Sequence, residues 1–361
     1  MEYNGTAYPT TRALEISVSE SESSYSAEIV MEYSLPEQLF GSQAGNVQQL
    51  NNDNLIRQIS LDASYWLNEF DLDGLFNNVN HSLSHKFSRY YNRSVRTVNG
   101  KDIFQSIKFS DSFESTSVFI NPGEFKSELN FPLYLRARDH FSGVNSNFIE
   151  LNNMITDNLN TYKTINLLGT FTSIDNEARF ISVADGQVAY TDEASSNFPD
   201  KIVNPASYEK LFMFMIMNNS LPGIPILFHG DEYGQIGIGG ADSKRDLKFQ
   251  NKLNLLESKL KNKISRLNST RKQYPSLSIG DFFVLRESLN YSVWLKSYFG
   301  EHTIIFFNLQ DKTIKLNIPL PFESKKLISL LDDKIIQLDN SKMASIVIPP
   351  YQSGIFLLDL K

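Results

Sequence analysis

The chain has 361 residues, 41% hydrophobic and 12% aromatic, which is enough to bury one large core or two domains and is unlike a disordered composition. A formal net charge of −7 without a Lys/Arg run argues against electrostatic binding to nucleic acid or an anionic membrane. No cysteine means no disulfide framework or thiolate chemistry, and no apolar run approaches the roughly 20 residues of a membrane span. The start, Met1-Glu2-Tyr3-Asn4-Gly5, shows no signal peptide, so the cytoplasm is the default expectation.

Residues 12–33 alternate apolar and polar in two runs, Leu14, Ile16, Val18 and then Tyr25, Ala27, Ile29, Met31, Tyr33, separated by a Ser/Glu cluster. That pattern predicts a hairpin with one face buried. From Asn54 to Phe70 the spacing turns helical, with Leu55, Ile56, Ile59, Ala63, Trp66 and Leu67 on one stripe. Strand-like and helix-like segments then alternate to about residue 275, as βα units do.

Within this stretch, Ile224 to Phe228 is an apolar run bounded by Pro222 and Gly223 before it and Gly230 after it. It reads as a strand buried on both faces. A glycine-laced loop carrying Asp231 and Glu232 follows, which is where an α/β barrel puts its chemistry. The segment 251–272, with Leu253, Leu256, Leu260, Ile264 and Leu267, predicts a helix. After Gly280, short apolar segments such as Tyr291 to Leu295, Thr303 to Asn308 and Ser345 to Ile348 are divided by turn residues and predict an antiparallel β domain.

Several of these segments, in order, resemble the α-amylase family, most closely its fungal-type members. Residues 222–246 are similar to the family's eighth strand and loop, G-I-P-x-x-Y-x-G-x-E followed by G-G-x-D-P-x-x-R. Trp66, Phe70, Asp73 and Gly74 match the helix and fourth strand written W-x-x-x-F-x-I-D-G. Asn130-Phe131-Pro132-Leu133 resembles L-N-Y-P-L after the fifth strand, and Leu168-Gly169-Thr170-Phe171 with Arg179-Phe180 frames the seventh. Arg271-Lys272-Gln273-Tyr274-Pro275 resembles the end of the eighth helix.

The resemblance implies an α/β fold, a partial or truncated (β/α)8 barrel with a C-terminal antiparallel β-sandwich. The implied organisation is an N-terminal hairpin segment without a family counterpart at 1–46, strands four to eight of the barrel at 47–279, and the sandwich at 280–361. Only 73 residues precede Gly74, too few for the family's first three strands and its inserted domain. The first Asp is Asp53 and the first His is His81, so the family's calcium- and sugar-binding loop does not fit, and no metal or cofactor is expected.

The catalytic motifs depart from the family. A retaining glycosidase uses two carboxylates about 5–5.5 Å apart, one as nucleophile and one as acid/base; this family adds a third acid. The nucleophile motif G-x-R-x-D-x-x-x-H reads Gly74-Leu75-Phe76-Asn77-Asn78-Val79-Asn80-His81, one residue short. Counting from Gly74 selects Asn78 and counting back from His81 selects Asn77, an amide either way. A neutral carboxamide cannot form the glycosyl ester. At the acid/base position the resemblance places Asp111, rather than Glu114 or Glu124, where glutamate belongs. At the third acid, N-H-D-x-x-R-F reads Ile174-Asp175-Asn176-Glu177-Ala178-Arg179-Phe180, with Asn176 at the aspartate.

The resemblance therefore implies a glycoside-hydrolase-family protein of carbohydrate metabolism, hydrolytically inactive or severely impaired, with weak binding of α-glucan or maltooligosaccharide. His81, Asp175, Arg179 and Glu232 are the candidate substrate contacts, although Arg179, Asp231 and Glu232 also read as structural groups at the barrel rim. Two alternatives stay open. One is an active α-1,4-glucan hydrolase or transferase using shifted carboxylates, Asp111 with Asp175. The other is a non-enzymatic partner-binding scaffold. The sequence does not set the oligomeric state.

Overall fold

The computed structural model describes residues 12–21, 24–34, 52–78, 84–98, 100–108, 120–121, 123–162, 168–175, 177–190, 200–240, 242, 245–332, 334–338 and 342–360. The chain divides into two compact units, Met1–Asp71 and Leu72–Lys361.

In the first unit, β1 (Arg12–Ser21) pairs antiparallel with β2 (Ser24–Ser34), and a register shift at Glu15/Ile16 marks a bulge. This is the predicted hairpin. Helix α1 (Asn52–Glu69) matches the predicted helical segment. Its stripe is buried only in part. Leu67 is inside, whereas Ile59 and Trp66 are exposed with Leu61, Tyr65 and Phe70, and Trp66 stacks on Phe70 at 5.2 Å between ring centres. A helical period shows which residues share a face; it does not show how much of that face gains a cover.

The second unit is built on parallel strands in chain order. β3 (Gly74–Asn78) pairs with β6 (Phe104–Lys108), and β6 pairs with β7 (Ser127–Glu128). A bridge from Leu129 to Gly169 continues the sheet to β8 (Gly169–Thr170), which pairs with β9 (Ile224–Pro225). Helix α2 (His85–Val95) and the small hairpin β4 (Thr97–Val98) and β5 (Lys101–Asp102) lie between β3 and β6 in the chain. Helices α3 (Phe131–Ser142) and α4 (Phe148–Tyr162) separate β7 from β8, and α5 (Phe180–Ala184) and α6 (Ala206–Asn219) separate β8 from β9. Helices α7 (Leu255–Gln273) and α8 (Pro275–Ile279) follow β9. Parallel neighbours joined through helices are the βα units that the alternating segments predict.

Local sequence fixes the helix ends. Asn130 caps α3 by accepting from the Leu133 amide at 3.2 Å, Pro132 sits in the first turn, and Gly143 closes the helix at φ 94°. Asn254 and Glu257 form a reciprocal capping box on α7. Helix α6 is apolar nearly all round and buried from Leu211 to Met217, as a core helix should be.

The strand expected over Ile224 to Phe228 is only two residues long. Leu227 is 46% exposed, so the expectation of burial on both faces fails. Among the described residues β9 has one ladder partner, the equally short β8, and Pro225 offers no amide for a second.

Residues 281–360 are antiparallel throughout. Strands β10 (Asp281–Glu287), β11 (Tyr291–Tyr298), β12 (Glu301–Asn308), β14 (Ser324–Ser329), β15 (Ile335–Gln337) and β17 (Gln352–Leu360) form one sheet in the order β10-β11-β12-β17-β14-β15. Strands β13 (Ile314–Pro319) and β16 (Met343–Ile348) form a second. The two-residue period sorts the larger sheet's side chains. Trp294, Ile305, Phe307 and Ile355 join the core of α3 to α7, while Val293, Leu295, Ile304, Phe306 and Phe356 pack with Ile318, Ile346 and Ile348 of the smaller sheet. Trp294 is fixed to α4 by a hydrogen bond from its indole to Asn152 Oδ1 at 2.9 Å.

Candidate active site

The parallel strands end on one side of the sheet, and the loops leaving those ends are where a barrel assembles chemistry. Asn77 and Asn78 close β3. The Asn77 carboxamide Nδ2 donates to the Ser106 carbonyl of β6 at 3.1 Å. A carboxylate has acceptors only and could not make this bond. The backbone of Asn78 stands in register with Lys108, the last residue of β6.

Lys108 is almost wholly buried, and its Nζ lies 3.1 Å from Asp175 Oδ1 in the loop after β8. The Asp175 side chain is 31% exposed. The negative charge it would offer a substrate is thus met by an ammonium. A charged lysine inside a strand is rare unless it is paired, and here the pair links the ends of two strands.

The loop after β8 is tied to the turn after β9 by buried charges. Asp231 Oδ1 accepts from Arg179 Nη1 at 3.0 Å and from Ser173 Oγ at 3.1 Å, and its Oδ2 accepts from Thr172 Oγ1 at 2.6 Å. The Arg179 side chain is fully buried, lies over the Phe228 ring at 4.2 Å, and has Nη2 3.4 Å from His229 Nε2. Burial pushes the Asp231 carboxyl above its ordinary value, opposed by Arg179, Thr172 and Ser173. The contact has salt-bridge geometry, with a guanidinium that does not deprotonate in proteins set against the Asp231 carboxyl. Glu232 accepts from the Gly230 amide at 2.7 Å and closes its own turn. Gly230 has φ 89°, and a Cβ there would meet the Gln235 side chain at 1.9 Å, so only glycine fits. Tyr233 is buried, with its hydroxyl donating to Gln235 Oε1 and accepting from the Lys248 amide, each at 3.0 Å.

No family model matches the chain. Two curated cyclomaltodextrinases are similar to it. That of Geobacillus thermopakistaniensis (strain MAS1) is 23% identical over 301 residues, 80% of this chain and 45% of that protein. That of Thermoanaerobacter pseudethanolicus (strain ATCC 33223 / 39E) is 23% identical over 256 residues, 69% of this chain and 39% of that protein. Among solved structures, an Anoxybacillus α-amylase superposes with a TM-score of 0.71 at 23% identity, over 86% of this chain and 64% of that one. An α-amylase from Geobacillus thermoleovorans, solved with acarbose, superposes with a TM-score of 0.72 at 21% identity, over 86% of this chain and 65% of that one. The chain has an α-amylase-like fold. It spans less than half the length of the curated relatives it matches and just under two thirds of these structures.

The structure joins Asn77 to Ser106, sets the Asn78 backbone in register with Lys108, and pairs Lys108 with Asp175. It commits Arg179 to Asp231 and Glu232 to its own turn. His81, Asp111 and Asn176 lie outside the described residues, as does Glu114. Phe131 and Tyr233 are core residues. Glu124 is sealed inside, with its carboxylate accepting from Ser88 Oγ, from Arg89 Nε at 3.0 Å and facing His85 Nδ1 at 3.0 Å. Burial alone would raise this carboxyl; the Ser88, His85 and Arg89 donors outweigh it and hold it below its ordinary value. Glu124 therefore anchors α2. Among the described residues no group of three His, Asp or Glu side chains could hold a metal ion, and no described helix is long and apolar enough to cross a membrane.

Proposed function

We propose that this chain is a carbohydrate-active α-amylase-like protein in which glycoside hydrolysis is lost or severely impaired, and which keeps a weak α-glucan-binding surface at its strand ends. Its five parallel strands correspond to strands four to eight of a (β/α)8 barrel, and residues 280–361 to a β-sandwich. The observation that carries the reading is the Asn77 carboxamide, which donates to the Ser106 carbonyl; in this reading Asn77 or its neighbour Asn78 stands at the nucleophile position, and both are amides. Lys108 beside Asp175 argues against Asp175 as a replacement nucleophile.

Asn77, Asn78, Asp111, Asn176 and His81 would line the glucan surface with Asp175, whereas Arg179 and Glu232 would support its wall. Amides still exchange hydrogen bonds with sugar hydroxyls, so binding outlasts cleavage in this reading. Calorimetric titration with maltoheptaose should show binding at about the millimolar level, and incubation with starch should release no reducing sugar. Turnover comparable to an ordinary amylase would overturn the proposal. No heat up to tens of millimolar, roughly the limit of useful affinity, would favour the partner-binding scaffold instead.

A further inference from the structure

The parallel strands are not equally covered. Every residue of β6 after Phe104 is buried, as is every residue of β7 and β8. At the two ends of this run of strands the cover is missing. In β3 none of Gly74, Leu75, Phe76 and Asn77 is buried, and in β9 neither residue is. Phe76 is 56% exposed, and Leu227, just past β9, is 46% exposed.

The main chain shows the same two edges. Phe104 donates its amide to the Asp73 carbonyl at 2.9 Å. Alternate residues turn their peptide groups to opposite sides of a strand, so Asp73, Leu75 and Asn77 serve β6 while Gly74 and Phe76 face away from it. In β9 the Ile224 and Ile226 amides donate to Leu168 at 2.8 Å and Thr170 at 2.7 Å. Leu227 and Pro225, which has no amide, therefore face the other way. A groove of about 490 Å³ lies beside this edge, with Pro225 and Leu227 on one wall and Ile264, Asn268 and Lys272 of α7 on another.

An open edge with apolar side chains is a template for another strand, and parallel sheets are normally covered. What covers β9 must bring a parallel strand, and what covers β3 must bring another. A second copy brings both. A two-fold axis along the strands sets β3 of each copy beside β9 of the other, and one operation satisfies all four edges. Charge favours the same pairing. Lys272 is exposed near the groove, beside Arg271, whose guanidinium reaches the Gly223 carbonyl just before β9 at 2.8 Å, and no carboxylate lines the groove. Asp73, just before β3, has a side chain 94% exposed, with Lys101 at 3.7 Å. Parallel pairing brings the strand starts together, and with them Asp73 and Lys272.

We propose that two copies of this chain associate edge to edge, β3 of each beside β9 of the other, so that the parallel strands of both close into one ring. The proposal does not rest on glucan binding at the strand ends.

The test uses the full chain. Size exclusion with light scattering at about 10 μM should give twice the chain mass of 41.2 kDa. Phe76→Lys and Leu227→Glu, both at exposed positions, should each give monomers with an unchanged far-ultraviolet spectrum. Mixing the two variants should restore the dimer, because one edge pair is then intact and the other sets Lys against Glu. The chain has no cysteine, so a short bismaleimide reports contact directly. It should cross-link a mixture of Phe76→Cys and Leu227→Cys chains, and neither variant alone. This experiment and the parent's mass decide the matter even where a charged variant fails to fold. A parent chain that stays monomeric up to about 100 μM would overturn the proposal. So would a dimer that survives both charged substitutions, or cross-linking of Phe76→Cys alone as efficient as that of the mixture.

Discussion

The Asn77 carboxamide and the Ser106 carbonyl join two parallel strands through a side chain, at 3.1 Å. The donor of the Asn77 side chain is used inside the sheet and faces the protein.

Asn77→Asp should therefore destabilise the chain rather than restore chemistry. The new carboxylate would oppose the Ser106 carbonyl with no proton between them, a cost of about 1–3 kcal/mol. Urea denaturation at neutral pH measures it. A variant as stable as the parent would show that the Asn77 contact contributes nothing. Combined with Asn176→Asp and Asp111→Glu, it should still give no starch cleavage.

Asp231→Ala should cost about 3–5 kcal/mol, because it removes the carboxylate that meets a fully buried guanidinium. Replacing both partners, Arg179→Met with Asp231→Leu, should cost much less, since the desolvation penalty disappears with the charges. Denaturation of the single and double variants separates the pairing from the packing. Equal losses would contradict the ion-pair account.

Lys296 gives a pH dependence. It lies wholly inside β11, donates to the Gly280 carbonyl at 2.6 Å, and burial brings its pKa down to about 7 from an ordinary lysine value of 10.5. Between those values the unfolded chain holds a proton that the folded chain has released, so stability rises with pH across that window and is flat below it for this group. Lys296→Met should flatten the rise. A parent chain with no gain in stability from pH 7 to about 10 would contradict the assignment.

Glu124→Ala should destabilise the chain by about 1–3 kcal/mol, because it releases Ser88, His85 and Arg89 from one buried carboxylate. The carboxyl is held below its ordinary value, so its contribution is present above the usual glutamate range and lost as pH falls below it. Acid denaturation of parent and variant should converge at low pH. The maltoheptaose titration should not change, since Glu124 is sealed from any ligand.

The parts of this molecule that were legible in the sequence are those set by local pattern. Leu256, Leu260, Ile264 and Leu267 with the Asn254–Glu257 box specify α7 over Leu255–Gln273, close to the segment read from spacing. The paired runs at 12–33 give the hairpin, and the punctuated apolar runs after Gly280 give the antiparallel strands. What spacing could not supply were contacts between distant segments. The run at Ile224–Phe228 announces burial, but its ladder is set by β8, 55 residues earlier in register, and stops after two residues. Lys108 and Asp175 are 67 residues apart, and nothing local joins them. The site residues read from the family motifs were placed by resemblance, and their partners came only with the fold.

The most direct test of the central claim is whether the chain can carry a glycosyl ester at all. A fluorinated α-glucosyl fluoride traps the covalent intermediate of a retaining glycosidase on its nucleophile, the step that a carboxamide cannot perform. Intact-protein mass spectrometry after long incubation should show the unmodified mass. A stoichiometric glycosyl adduct, mapped by peptide analysis to Asp111, Asp175 or any other carboxylate, would contradict the account and make the chain a working retaining enzyme.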